Sequence, residues 1–455
     1  MEMILEFLRD VLSQPALLIG IMSCVGLIAL KRPFHKIMTG TLKPILGYLM
    51  LAAGAGVIVS NLDPLGKMIE HGFHITGVVP NNEAIVAVAQ KVLGLETMSI
   101  LVVGLLMNLL IARFTKFKYV FLTGHHSLFM ACLMSAVLGT AGLSGIELIL
   151  VGGFLMGAWS AISPAIGQSY TSKVTDGDEI ALGHFGSLGY YLSAWVAKYV
   201  GKAEESTEDI EIPEKWGFLR DSTLSTALTM IVFYLIAAIA AGSEFVATLS
   251  GSMSPYLFAV MSAMNFAVGV AIVYSGVRMI LGDLIPAFQG IATKIIPNAI
   301  PAVDCAVFFT YAPTAVVLGF ISSFIGGIIG MLILGAVGGV LIIPGLVPHF
   351  FCGATAGIYG NATGGRRGAA VGAFLNGLAI TFLPALALPV LGQLGFQNTT
   401  FGDADFAVMG LVLGNAFEWI GMAGIYGVVV IAALVLIIPN FIKTKGKVIN
   451  YVEEE

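Results

Sequence analysis

Apolar residues in this chain come in long unbroken runs, not in the alternations or one-sided stripes of a water-soluble domain. Runs at roughly 15–30, 44–61, 97–113, 119–140, 145–166, 223–242, 256–281, 305–338, 369–393 and 421–441 approach or exceed the ~18 residues that carry a helix across a hydrocarbon core. Windows 83–94, 183–200, 285–303, 339–362 and 403–418 are apolar but shorter, and each is interrupted by Gly, Pro or polar residues. Inside a bilayer such backbone survives only where protein covers it or where it borders an aqueous cavity. The pattern predicts an all-α, polytopic membrane protein with re-entrant or broken segments near a central site. A transmembrane barrel needs short alternating strands, and the continuity of the runs excludes it.

Composition sharpens the picture. Charged residues make up 11% of the 455-residue chain and hydrophobic residues 57%, against about 25% charged in soluble domains. The 56 glycines suit helices that approach closely in lipid. A net charge of −5 gives no attraction to nucleic acid. Cys24, Cys132, Cys305 and Cys352 stand isolated in apolar surroundings and read as packing side chains. The opening "MEMILEFLRDVLSQP" lacks the basic start and small-residue cleavage site of a removable signal and reads as a short interfacial helix.

Positive charge sets the orientation. Lys31, Arg32, Lys36 and Lys43 lie between the first two spans, and Lys443, Lys445 and Lys447 follow the last. Both segments are expected to face the cytoplasm, which puts the N-terminus outside and makes the number of crossings odd, about eleven. The polar segment 201–222 reads as a charged, solvated cytoplasmic loop joining two halves of the molecule, and 442–455 as a cytoplasmic tail. Residues 1–455 form one membrane-embedded domain on this reading.

Candidate chemistry lies where ionisable side chains interrupt apolar sequence, because such groups are costly in a membrane and usually face a cavity or a partner. His125 and His126 sit in "FLTGHHSLFM", His184 in "DGDEIALGHFGSLGYY" and Asp304 in "IPAVDCAVFFTYAP". A lone membrane histidine reads as an interhelical hydrogen bond. Two Gly-His elements and an embedded aspartate together suit a small, hydroxyl-rich ligand, since imidazole both donates and accepts and a carboxylate accepts. The same residues also read as a metal triad, but they are far apart in sequence. The H-x-x-H spacing, His71 and His74, lies in a connector with Glu70 as its nearest acid. No metal and no cofactor is expected. "YGNATGGRRGAA" (359–370) reads as a cytoplasmic turn, with an anion site at Arg366 or Arg367 as the alternative. Phosphate-loop, nucleophile-elbow and H-E-x-x-H motifs are missing from the sequence, so a self-contained enzyme is not expected.

At these residues the chain resembles the ascorbate-type enzyme IIC membrane permease of the bacterial phosphoenolpyruvate-dependent sugar phosphotransferase system. The likeness is carried by "LTGHHSL" at 122–128, "VTDGDEIALGHF" at 174–185, "IPAVDCAVFFTYAPTAVVLGF" at 300–320, "LIIPGLVPHFF" at 341–351 and "KAEESTEDIEIP" at 202–213. It implies a multi-pass homodimer of the bacterial inner membrane, each protomer with about eleven helices, a V-shaped dimerisation motif and a mobile core domain that carries the sugar site. It implies that a separate cytoplasmic B-type subunit, phosphorylated on cysteine by an A-type subunit, transfers the phosphoryl group to the imported sugar. Matched residue by residue, the family's contacts to ascorbate fall on His125, His184 and Asp304, which are kept, with His126 adjacent. A threonine–tyrosine pair falls on Asn82 and Glu83, and two glutamines fall on Phe129 and Phe185. Phenylalanines cannot donate to an anionic enediol ring but can stack on a sugar's apolar face, and a carboxylate at Glu83 repels an anion. The resemblance therefore implies ascorbate or a related small sugar or polyol as cargo. A proton-coupled secondary transporter of the same fold, with Glu83 as proton carrier, is the alternative.

Overall fold

The computed structural model describes residues 10–11, 14–74, 77–80, 82–210, 222–392 and 399–441. Its long apolar runs form the long helices that their length predicts. In chain order these are α1 (Pro15–Ala29), α2 (Phe34–Phe73), α3 (Asn82–Phe114), α4 (Gly124–Thr140), α5 (Gly145–Thr175), α6 (Ser187–Val200) and α7 (Ser222–Ala241). They continue as α8 (Ser243–Ser250), α9 (Pro255–Lys294), α10 (Pro313–Ala336), α11 (Leu346–Gly392), α12 (Ala404–Ile420) and α13 (Met422–Phe441). Among the described residues, seven helices are long and apolar enough to cross a membrane, or eight if α7 and α8, bent by 117°, form one broken span. The protein is a mostly helical, multi-pass membrane protein.

The all-α expectation needs one correction. Two small parallel sheets sit among the helices: β2 (Tyr119–Phe121), β4 (Ile300–Val303) and β3 (Ala181–Leu182) in that spatial order, and β1 (Val79–Pro80) beside β5 (Thr399–Thr400). The run expected to span from 119 thus begins as a strand, and the run expected from 305 begins as a 3₁₀ turn (Cys305–Thr310) before α10 starts. Buried backbone has to bond to something, and these strands bond to one another. Leu122 N–H donates to the Ala302 carbonyl at 2.9 Å, and Gly183 N–H to that of Val303 at 2.7 Å.

The helices sort into two groups. Helices α1, α2, α7 and α9 pack mainly on one another. At one crossing Gly26 of α1 meets Gly290 of α9, and a Cβ on Gly290 would lie 1.9 Å from the Gly26 carbonyl oxygen. The second group joins α3 to α4 and α5, and α11 to α6, α10 and α12.

Helix α11 is a hairpin. It breaks at Gly364 and Gly365 and doubles back, so that a Cβ on Gly360 or on Gly368 would stand 2.4 Å from the other's carbonyl oxygen. The stretch 359–370 is therefore the hairpin tip. The start of the charged loop is bound to it rather than hanging free as a linker. Thr207 N–H donates to Asn361 Oδ1 at 2.8 Å and Arg366 N–H to the Glu205 carbonyl at 2.8 Å. The Glu208 carboxylate accepts from Thr314 and Ala315 N–H at 3.1 Å, capping α10. Residues 211–221 of that loop and the tail 442–455 lie outside the described residues.

Gly365 has φ 59° and ψ −154°, a region that only glycine enters freely, and a Cβ there would lie 2.3 Å from the Lys202 carbonyl oxygen. Gly365→Ala is expected to cost about 2 kcal/mol or more and to lower the thermal unfolding midpoint of detergent-solubilised protein. Gly177→Ala, with open space around the added methyl, is the control that stays put.

Candidate functional site

Each strand of the three-stranded sheet ends just before a side chain singled out from the sequence. After β2 come Gly124, His125 and His126; after β3 come Gly183 and His184; after β4 comes Asp304. The parallel register, Phe121 opposite Ala302 and Leu182 opposite Val303, brings these three chain ends to one level. The second sheet does the same with Asn82 after β1 and Asp403 after β5. Between the two sheets lies a cavity of about 830 Å³, bordered by Tyr48, Asn82, His125, His126, Phe129, His184, Asp304, Cys352 and Asp403. The side chains Asp63, Lys67 and Glu70 of α2 extend the lining.

The polar contacts are specific. His125 Nε2 stands 3.5 Å from Asp304 Oδ2, and its Nδ1 stands 3.5 Å from the Tyr48 hydroxyl. Asp304 Oδ1 accepts from Ala306 N–H at 3.0 Å and so caps the 3₁₀ turn. The rings of His126 and His184 lie 3.8 Å apart between centroids, tilted by 47°. Phe185 N–H donates to His126 Nδ1 at 3.3 Å and Gly186 N–H to His184 Nδ1 at 3.2 Å, with the Tyr190 hydroxyl 2.9 Å from the latter. A backbone N–H can only donate. In that geometry Nδ1 of each ring accepts, and Nε2 is the nitrogen each has left to offer a ligand.

His126, His184 and Asp403 have potential ligand atoms within 4.8 Å of one another, as do His184, Asp304 and Cys305. A metal-bound histidine donates from its second nitrogen. With Nδ1 facing a backbone N–H in both rings, the geometry suits donation from Nε2 to an oxygen of a ligand.

The structure brings His125, His126, His184, Asp304, Asn82 and Phe129 to one cavity. Phe185 does not belong there and is a correction. It is fully buried and stacks on Phe121 at 4.6 Å, with Phe406 at 5.7 Å. The chain turns at Phe185 and Gly186 directly after His184, and the turn lays the Phe185 ring against Phe121 and Phe406 instead of the cavity. The Glu83 side chain lies outside the described residues. His71 stacks on Phe245 at 3.8 Å, a packing contact.

Sequence reasoning missed Tyr48, Cys352, Asp403 and Asp405. The signal for the two acids was present in "FGDADFAV" (401–408), where carboxylates interrupt apolar sequence. Asp403 accepts from Asn82 Nδ2 at 2.6 Å and from Cys352 Sγ at 3.0 Å, and Asn82 Oδ1 accepts from Gly402 N–H at 2.9 Å. Asp405 is fully buried and accepts from Ser187 Oγ at 2.7 Å, Leu188 N–H at 2.9 Å and Trp159 Nε1 at 3.1 Å. Its own N–H donates to the Phe185 carbonyl at 2.9 Å. These bonds fix the segment that carries His184.

Membrane-crossing helices around a polar cavity, with neutral donors and carboxylate acceptors at its wall, are the build of a permease for a small polar molecule. Residues 10–405 match the family model EIIC-GAT, described as the PTS system sugar-specific permease component, and the chain belongs to that family. It is 26% identical over 417 residues to the ascorbate-specific PTS system EIIC component of Mycoplasma pneumoniae, a match that covers 78% of this chain and 62% of that protein. The chain thus spans less than two thirds of that relative's length.

Asp405→Ala leaves one buried and two partly buried donors without their acceptor. It is expected to cost about 3 kcal/mol or more, read as a lowered unfolding midpoint in detergent. Asp405→Asn, which keeps an acceptor oxygen, is expected to lose less.

Proposed function

We propose that this protein is the membrane component of a phosphotransferase system that imports ascorbate or a related small sugar or polyol, while a separate B-type subunit phosphorylates the cargo. The observation that carries this reading is the meeting of His125, His184 and Asp304, from three distant stretches of chain, at one cavity wall. On this proposal those three side chains hold the cargo, Asn82 and His126 complete the polar wall, and the Phe129 ring covers an apolar face of the sugar.

The group α1, α2, α7 and α9 then acts as the fixed scaffold and dimer-forming part, and the remaining helices act as the mobile core. The full count of about eleven crossings, the homodimer and the bacterial inner membrane belong to this proposal. The phosphoryl donor is a phosphocysteine on the B-type subunit, recharged by an A-type subunit. The cargo's hydroxyl oxygen attacks phosphorus as the P–S bond breaks, and its proton leaves to a nearby acceptor. Asp304 Oδ2 suits that hydroxyl, since Oδ1 is committed to Ala306. Because phosphoryl transfer passes through a loose transition state, holding the hydroxyl in line matters more than base strength.

Removing one partner of a bound hydroxyl costs about 1–3 kcal/mol. His184→Ala and Asp304→Asn are each expected to cut phosphoenolpyruvate-dependent uptake about tenfold or more with the unfolding midpoint little changed. Full uptake in both variants ends the site assignment. Concentration of unmodified sugar by a proton gradient, in vesicles without phosphoenolpyruvate, identifies a proton-coupled carrier instead.

A further inference from the structure

Asp304 and Asp403 reach the cavity by the same device: each follows a short parallel strand and occupies the residue just before a helical turn. Each has a carboxylate oxygen within 4.8 Å of a ring nitrogen of His184. Their engagements differ. Asp304 caps its own turn through Ala306 N–H and faces the one ring, His125, whose Nε2 approaches it at 3.5 Å. Asp403 makes no capping bond to α12, although an aspartate at that position ordinarily does. Its carboxylate turns instead to Asn82 Nδ2 and Cys352 Sγ, both neutral donors.

No cation answers Asp403 among the described residues of the cavity wall. His184 Nδ1, 3.8 Å from Asp403 Oδ1, already accepts from Gly186 N–H, so it has no N–H to give that carboxylate. Lys67, the sole lysine or arginine among the described lining residues, is paired with Asp63 at 2.8 Å. Helices α3, α4 and α12 begin at this cavity and lend it the partial positive charge of their N-terminal ends. The two resident carboxylates already answer that charge.

We propose that Asp403 is a cargo-facing acceptor that selects an uncharged, polyhydroxylated molecule over an anionic one. An alditol or neutral sugar supplies O–H donors to both carboxylates and lone pairs to the Nε2–H groups of His126 and His184. An enediolate brings a like charge and one hydrogen fewer to give. This rests on the permease reading and narrows its cargo class.

The test is calorimetric binding of xylitol, sorbitol and L-ascorbate at neutral pH to the full-length protein in detergent, beside Asp403→Asn and Asp403→Glu. The wild type is expected to bind at least one polyol about tenfold or more tightly than ascorbate. Asp403→Asn is expected to close most of that gap by gaining ascorbate affinity, and Asp403→Glu, which keeps the charge, to retain it. Preference for ascorbate in the wild type, binding of none of the three, or an unchanged ratio in folded Asp403→Asn overturns the proposal. If Asp403→Asn does not fold, the wild-type ratio and Asp403→Glu decide in the same sense. Polyol preference without phosphoenolpyruvate-dependent uptake sinks the phosphotransferase reading alone. Ascorbate preference with such uptake sinks this inference alone.

Discussion

Backbone that is not helical must find its hydrogen bonds within the protein when it runs through a membrane, and the β2–β4–β3 ladder is how this chain meets that demand. The ladder is short, with two to four residues per strand, yet it settles the position of the site. A helix sends successive side chains around its axis and back toward its N-terminus. Three parallel strands instead release their chains side by side at one level, so that Asp304 directly after β4, His184 two residues past β3 and His125 four past β2 enter the same space. His125, His184 and Asp304 meet because Leu122 and Gly183 bond to the same central strand.

The strands also explain how the site's charge state is held. The chain leaving β3 turns at once, and its N–H groups at 185 and 186 point back at the two rings. That turn is anchored by Asp405 through Ser187, Leu188 and the carbonyl of Phe185. A buried carboxylate that accepts from several donors is far better held than one left with any of them unmade. Asp405 touches no cargo in this arrangement. Its work is to fix a loop whose amides choose the tautomer of the rings that do face the cavity.

Much of this was legible in the sequence, for a physical reason. Ionisable residues are expensive in apolar surroundings, so His125, His126, His184 and Asp304 stood out from their neighbours, and long runs announced long helices. The strands were illegible because segments such as Ala181–Leu182 are too short to display a period. Runs such as 119–140, apolar throughout, do not show where a strand hands over to a helix. Phe185 was placed at the site by matching the family's contacts residue by residue, whereas here a phenylalanine at that position finds apolar neighbours and the turn at 185–186 buries its ring against Phe121. Asp403 and Asp405 were passed over at the start of an interrupted apolar window, although the rule that found Asp304 applies equally to them.

The cavity's walls come from two differently packed groups of elements. His125, His126, His184, Asp304, Asn82 and Asp403 all hang from the two sheets or from the helices that start beside them, and these are cross-linked by backbone bonds. The opposite wall is the face of α2 that carries Tyr48, Leu51, Leu62 and Gly66. Helix α2 packs on α1, α7 and α9 and touches α11 far less. Among the polar contacts described, Tyr48 to His125 at 3.5 Å is the link from that face to the site, and at that distance it is weak. Apolar contact joins the two groups away from the cavity: one buried cluster runs from Tyr48, Leu51 and Phe266 to Phe309, Phe320 and Phe350, with the Phe266 and Phe350 rings 5.0 Å apart. The polar groups of the site are thus held by the sheets on one side, while α2 closes the cavity mainly through apolar packing.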